Sequence, residues 1–555
     1  MKIVECVPNF SEGRDRGVID AIAAAISGTE EVTLLDVDPG AATNRTVMTF
    51  IGTPDAAVEA AFRAIACAAD RIDMRHHAGA HARLGATDVC PFVPVSGLEM
   101  DECVELARRL GRRVGEELGI PVYLYEAAAS RPERRNLADV RRGEYEGLAA
   151  RLADPDWAPD FGPAELNARS GATVIGARQF LIAYNINLNT RDRKLASDIA
   201  MEIREQGRIR RDARGKFVRD ENGDPVRNPG MFREVKAVGW FIEEFQRAQI
   251  SINLTDYHVS PPHAVFDAVC RLAEDRGLRV TGSELVGLIP REAVLLAGRH
   301  YLERQGGTSG VPESRLVEAA ILSLGLNDVK AFDPRERIIE YRVARQAPLA
   351  SMSLLEFADE TSCDSPAPGG GSVAALCGGL AAALTSMVAA LTHAKKGMEE
   401  RRETMNALAR EAQEHKEAFL RAIDDDTQAF QAVIEAMRMP KRTEKETAAR
   451  NRALEAANRG AIEIPLGVLR RAAAILPLIR TVAEQGNPAS ASDAGVAALC
   501  VVAAGDGAYM NVRINLPGIR EEGYRSEVRE AADRLVEEVR REGEGIRDGV
   551  LGRLD

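Results

Sequence analysis

Apolar residues open the chain in short extended runs, Ile3 to Val7, Val32 to Val37, Thr46 to Ile51, Asp88 to Pro94 and Val122 to Tyr125. These alternate with segments of helical apolar spacing such as Ala56 to Ile72 and Asp101 to Leu118, the pattern of an α/β subdomain. A Pro- and Asp-rich break, DPDWAPDFGP at Asp154 to Pro163, interrupts it. The alternation then resumes with strand Phe180 to Leu188, helix Arg191 to Gly207, strands near Lys236 to Ile242 and Gln249 to Leu254, helix Pro262 to Arg276 and strand Arg279 to Leu288. Within this second set, Arg208 to Gly230 is charged and rich in Gly, Asp and Asn, which predicts an exposed insertion or hairpin.

Strand-like patterning runs through Pro334 to Tyr341 and stops; from Ser353 onward nearly everything is helical and rich in Ala, Glu and Arg. The expected organisation is multidomain: two α/β subdomains, α+β sandwich-like, at 1–178 and 179–328, a linker at 329–350, and an all-α helical bundle at 351–555. Gly369 to His393 is long and uncharged enough to raise the question of a membrane span. Its Ala and Gly content, with Ser372, Thr385 and Ser386, favours a buried bundle helix.

With 555 residues and 45% apolar content, the chain has room for several cores. A formal charge of −12 argues against nucleic acid or an anionic membrane as the main partner. Eight scattered cysteines without a CxxC pair point to a reducing cytosol, and the opening MKIVECVPNF reads as a strand rather than a secretion signal, so a cytoplasmic location is expected.

Candidate chemistry concentrates in a few places. Arg71 to Pro94 carries three of the eight histidines in a Gly/Ala-rich loop, where reactive side chains are often displayed. His77 and His81 are four apart, but Gly79 between them and the missing HExxH glutamate argue against zinc, and no metal is predicted. Taken singly, each histidine is by default a surface or hydrogen-bonded structural residue, and clustering adds only modestly to a catalytic reading. Arg178 can pair with a substrate carboxylate through its planar fork, or simply be a solvated arginine ahead of its strand.

In the helix EAFLRAIDDDTQAFQAVIEAM, Phe419, Ile423, Phe430, Val433, Ile434 and Met437 form one apolar stripe. Of the three adjacent aspartates only Asp426 falls on it, while Asp424 and Asp425 read as a solvated face. Desolvation would raise the pKa of Asp426 and suit it to proton transfer; a buried aspartate bonded to a neighbouring helix is the other reading. The turn Gly369 to Ser372 lacks the Lys and Ser/Thr of a nucleotide-phosphate loop, and either holds an anion on its N–H groups or lets two backbones approach closely. Asn511 and Asn515, four apart on a helix, can bond a ligand or a neighbouring helix.

Several blocks resemble glutamate formimidoyltransferase: VECVPNFSEG at Val4 to Gly13, LLDVDPGAATNRTV at Leu34 to Val47, GATDVCPFVPVS and DWAPDFGP. The stretch from SLLEFADETSCDSPAPGGGS through the following helix, with GNPASASDAGVAA and AYMNVRINLPGI, resembles the family of formimidoyltetrahydrofolate cyclodeaminase and methenyltetrahydrofolate cyclohydrolase. The resemblance implies a general base at His81, in a motif that here reads Gly-Ala-His-Ala-Arg, and a catalytic Asp426. Asp38 is either a carboxylate stabilising the cationic amidine-like centre or a structural turn residue ahead of Pro39. A loop lining the folate site would run from Gly162 to Gly171, followed by Ala172, with Gly162, Pro163, Gly171 and Ala172 matching at its ends.

The implied substrates are N-formimidoyl-L-glutamate and (poly)glutamylated tetrahydrofolate, the latter as substrate rather than resident cofactor. The implied reactions are formimidoyl transfer to N5 and closure to 5,10-methenyltetrahydrofolate with loss of ammonia, steps of histidine degradation and one-carbon metabolism, in a homo-oligomer. Two alternatives stand beside this: a cyclohydrolase-like helical domain, or a non-catalytic folate-binding or assembly domain.

Overall fold

The computed structural model describes residues 2–41, 43–79, 82–221, 223–343, 348–364 and 367–554. They divide into two compact units, Met1–Val294 with Leu324–Val343, and Leu295–Ser323 with Ala344–Asp555. His81 lies outside the described residues.

The first unit opens with a seven-stranded sheet of β1 (Ile3–Cys6), β2 (Asn9–Phe10), β3 (Val32–Gly40), β4 (Arg45–Gly52), β5 (Thr87–Ser96), β6 (Val122–Glu126) and β7 (Thr173–Ala177). β3 pairs with β4, β4 with β1 and β2, and those two with β5, all antiparallel; β7 then joins β5 and β6 in parallel. Side chains alternate along each strand. Val4 and Cys6, Cys90 and Phe92, and Ile175 and Ala177 therefore share one face, packed in a core with helices Arg16–Ser27, Pro54–Arg71 and Met100–Leu118. Helix Met100–Leu118 starts at a Glu99/Glu102 capping box and stops at Gly119 in the left-handed region. Its inner stripe of Cys103, Leu106, Leu110 and Val114 is buried, worth about 1.5–3 kcal/mol for each large side chain.

A second sheet, antiparallel, runs in the order β11-β12-β8-β13, with β8 (Ile182–Leu188), β11 (Val235–Ile242), β12 (Arg247–Leu254) and β13 (Val280–Val286). The charged insertion forms the expected hairpin, in which β9 (Arg208–Ile209) pairs antiparallel with β10 (Arg227–Asn228). Pro334 to Tyr341 departs from its strand-like pattern. Asp333 caps a short helical turn with Pro334 at its first position, a helix start, and Ile339–Val343 forms another; only Ile338 between them keeps a strand-like contact, a parallel bridge to Ile289.

The second unit is helical, built on Gly370–Ala394, Arg402–Arg438, Glu444–Gln485, Ala491–Asn515 and Glu522–Leu551 around one apolar core. Gly370–Ala394 and the run Pro488–Gly518 are long and apolar enough to cross a membrane by length and composition. In the structure Ala375, Ala382 and Val388 of the first, with Ala497 and Val501 of the second, belong to the bundle core. Arg402–Arg438 runs antiparallel to Gly370–Ala394: Ser386 bonds the Ala409 carbonyl, Gly378 abuts the Phe419 ring and Gly371 abuts Asp426.

That pairing uses up the shorter helix at Asp426, so the longer one projects beyond it. The single buried stripe expected from Phe419 to Met437 is thereby corrected: Phe419 and Ile423 are buried, but Phe430 and Met437 lie on the projecting part and are exposed.

Candidate active sites

The sheet face opposite the helices brings Glu5, Val7, Val89 and Pro91 to a cavity of about 740 Å³, whose far side carries Ala183 of β8, Asn253 of β12 and Glu284 of β13. Five basic side chains (Arg45, Arg141, Arg178, Lys330, Arg337) and four acidic ones (Glu5, Asp36, Asp38, Glu284) line it. Such a lining suits a ligand that carries both carboxylates and a cationic centre. Asp38 and Arg178, singled out separately in the sequence, thus share one cavity. Asp38 is exposed and acts electrostatically on Arg45. Arg178 is half-buried, its main-chain N–H fixed on the Phe92 carbonyl at 3.1 Å and its guanidinium on the Gln179 carbonyl at 2.9 Å.

Glu5 is only 5% exposed, and burial pushes its carboxyl up to about 7, with Arg178 opposing the shift and Glu340 adding to it. Arg141 is held by a buried ion pair with Asp88, which also accepts from the Leu84 N–H at 3.0 Å. A second cavity of similar size shares Tyr125, Leu137, Arg141, Arg178 and Leu181 with the first, and reaches Ala82. Glu126, Glu144 and Glu234 line it with φ of 52°, 54° and 56°, left-handed backbone that glutamate rarely adopts and that collects at functional walls.

The histidine loop is tied down on both sides of its undescribed residues. Asn44 accepts from the Gly13 N–H at 3.0 Å and donates to the Ala78 carbonyl at 3.1 Å, while a Cβ on Gly79 would lie 2.2 Å from the Thr43 carbonyl oxygen. His77 is committed to structure: its Nε2–H donates to the Asn44 carbonyl at 2.9 Å, and its Nδ1 accepts from Arg83 at 3.2 Å. Among the described residues no three His, Cys, Asp or Glu side chains group as a metal ion would need.

In the helical unit the Asp426 carboxylate lies against the first turn of Gly370–Ala394. The Ser372 hydroxyl donates to the Ile423 carbonyl at 3.0 Å and sits 3.4 Å from Asp426 Oδ2. Burial pushes the Asp426 carboxyl up, and the Ser372 hydroxyl and N–H pull it part of the way back. The Asn511 side chain reaches the same turn, its amide nitrogen 3.7 Å from where a Gly370 Cβ would stand. A carboxyl that holds a proton more firmly than usual, set against the first-turn N–H groups of a helix, can deliver and recover a proton beside a bound anion.

Residues 3–178 match the family profile of the formiminotransferase domain N-terminal subdomain, 183–344 that of the formiminotransferase domain, and 353–534 that of formiminotransferase-cyclodeaminase. Over 542 residues the chain is 43% identical to the formimidoyltransferase-cyclodeaminase of Gallus gallus, covering 97% of each. This chain belongs to the formimidoyltransferase-cyclodeaminase family. Its first part is also similar to the glutamate formimidoyltransferase of Thermoplasma acidophilum, 42% identical over 322 residues that cover 58% of this chain and 99% of that one. Its last part is similar to the methenyltetrahydrofolate cyclohydrolase of Methylorubrum extorquens, 33% identical over 199 residues, 36% of this chain and 96% of that one.

Within this family member the four residues at the ends of the DFGP loop line neither cavity. Gly162, at φ +82°, presses on Gly115 and the Ile120 carbonyl with exposed Pro163 beside it, while Gly171 and Ala172 are buried against Leu84 and Gly85. The Asn515 amide donates to the Ala461 carbonyl of a neighbouring helix at 3.0 Å, and that of Asn511 to the Gly507 carbonyl of its own helix at 2.8 Å. Asp424 corrects the solvated face read for it: it is 6% exposed and accepts from the Leu349 and Ala350 N–H groups at 3.0 and 3.1 Å, because the chain entering the helical unit packs on that side. Asp425 is exposed, as expected. The residue that sequence reasoning passed over is Glu5, inside VECVPNFSEG; a glutamate between buried Val4 and Cys6 was the available signal.

Proposed function

We propose that the chain passes the formimidoyl group of N-formimidoyl-L-glutamate to N5 of tetrahydrofolate in its first unit, and closes the product to 5,10-methenyltetrahydrofolate with loss of ammonia in its second. The observation that carries the first step is the amphoteric cavity shared by Asp38 and Arg178, sized for a drug-like ligand. Arg178 takes a carboxylate of the donor or of the folate tail, and Asp38 stabilises cationic character near the cavity mouth. His81 accepts the proton released as N5 bonds the formimidoyl carbon, and the glutamate nitrogen then departs with a proton.

For the second step, N10 attacks the same carbon, its proton is taken up, and the former imino nitrogen leaves as ammonia. Asp426 moves these protons, and the turn Gly369 to Ser372 with Asn511 and Asn515 contacts the folate. The same proposal gives the transferase residues 1–178 and 179–328, the linker 329–350 and the cyclodeaminase 351–555. It takes the protein to be a cytoplasmic homo-oligomer; exposed Leu380, Leu391, Val496 and Leu499 on two bundle helices support the assembly.

Two assays on the full chain test it: glutamate release from N-formimidoyl-L-glutamate with tetrahydrofolate, and ammonia release from purified 5-formimidoyltetrahydrofolate. His81→Ala should abolish the first alone and Asp426→Asn the second alone. Absence of ammonia release, with hydrolysis of methenyltetrahydrofolate instead, would favour the cyclohydrolase reading suggested by the Methylorubrum extorquens relative.

A further inference from the structure

Of the charged side chains lining the first cavity, Glu5 alone is more than nine-tenths buried. Strand β1 fixes its direction: Glu5 stands opposite Ile51 of β4 and Val93 of β5, on the face that also turns Val7, Val89 and Pro91 to the cavity. Among the described residues none donates a hydrogen bond to its carboxylate, and the charges that act on it are Arg178, across β5, and Glu340. A carboxylate buried without a hydrogen-bond donor is costly to keep, so a purely structural role would be better served by an apolar residue at this position.

The ligand that repays this cost must bring positive charge and paired N–H donors. An N-substituted formamidine is a strong base, cationic at neutral pH, and offers an NH₂ and an N–H side by side. Two carboxylate oxygens accept these in parallel, the geometry of a bidentate guanidinium pair. Asp38 meets the requirement less well, being exposed and turned toward Arg45. We propose that Glu5 is the amidinium-binding carboxylate of the transferase cavity, and that it selects a cationic formimidoyl donor over a neutral formyl one. Arg178 and its basic neighbours then hold the carboxylates of the glutamate moiety. This rests on the assignment of that cavity to the transferase step.

The test compares two ligands of nearly equal shape on the full-length protein: N-formimidoyl-L-glutamate as substrate and neutral N-formyl-L-glutamate as competitive inhibitor. Glu5→Gln should raise KM for the donor roughly ten- to a hundred-fold while leaving Ki for N-formyl-L-glutamate and KM for tetrahydrofolate nearly unchanged. Equal losses for both ligands, or no loss for either, overturn the proposal. If Glu5→Gln fails to fold by circular dichroism, Glu5→Asp carries the test, with a several-fold loss expected for the cationic ligand only and equal losses again overturning it. A wild-type protein that neither consumes the donor nor binds N-formyl-L-glutamate would instead remove the site assignment itself.

Discussion

The Asp426 carboxylate occupies the space that a side chain on Gly371 would need: a Cβ there would stand 2.3 Å from Oδ1 and 2.5 Å from Oδ2. A Cβ and a carboxylate oxygen do not approach that closely, so the bare glycine is what lets the acid rest on the helix start. Gly371→Ala should therefore displace Asp426 and lower ammonia release by at least about ten-fold, with a cost of about 1–3 kcal/mol from overpacking. Glutamate release by the first unit should be unaffected, and assaying both activities on one preparation checks this.

Ser372 tunes the same acid. Its hydroxyl and N–H favour the charged carboxylate and so work against the upward push of burial. Ser372→Ala removes the hydroxyl contribution, and the Asp426 carboxyl should rise further. Where the protonated form is the active one, the alkaline limb of the pH–rate profile for ammonia release should move to higher pH. A limb that moves to lower pH, or Asp426→Asn retaining the same limb, would show that another group titrates there.

Asn44 governs the loop on the transferase side. It joins Gly13 to Ala78 through one side chain and has φ +49°, a conformation that asparagine tolerates and alanine resists. Asn44→Ala should cost about 2–4 kcal/mol from two lost hydrogen bonds and backbone strain. Denaturant titration measures the stability loss, and glutamate release should fall more steeply than ammonia release because the second unit does not depend on this loop.

What the sequence could and could not reveal follows from which partner covers each face. Asp426 was legible because it lies three residues after buried Ile423 on the same helix, and helical spacing is a local property. Asp424 was not, because the groups that bury it, the N–H of Leu349 and Ala350, come from chain 75 and 74 positions away. Asn515 bonds Ala461 across 54 positions, so its spacing from Asn511 could not say which helix it meets. The α/β alternation of the first unit was plain from period-two runs. Yet the same alternation does not single out Glu5, since period two cannot distinguish a face turned to water from one roofed by a second sheet.

That roof gives Glu5 a thermodynamic signature separate from its effect on substrate. Its carboxyl rises from an ordinary value near 4.5 to about 7 on folding. A raised folded-state value means the unfolded chain releases its proton first, so stability is fully present below pH 4.5 and is lost as pH climbs through 7. Glutamine cannot ionise and escapes this loss. Glu5→Gln should match the wild type in acid, gain on it progressively between those two values, and exceed it by up to about 3 kcal/mol at pH 8. Urea titrations of both proteins across that range measure the difference. A flat difference with pH would mean that Glu5 keeps an ordinary acidity in the folded protein, whereas a difference that closes when saturating N-formimidoyl-L-glutamate is added would tie the stored cost directly to the cation that the carboxylate receives.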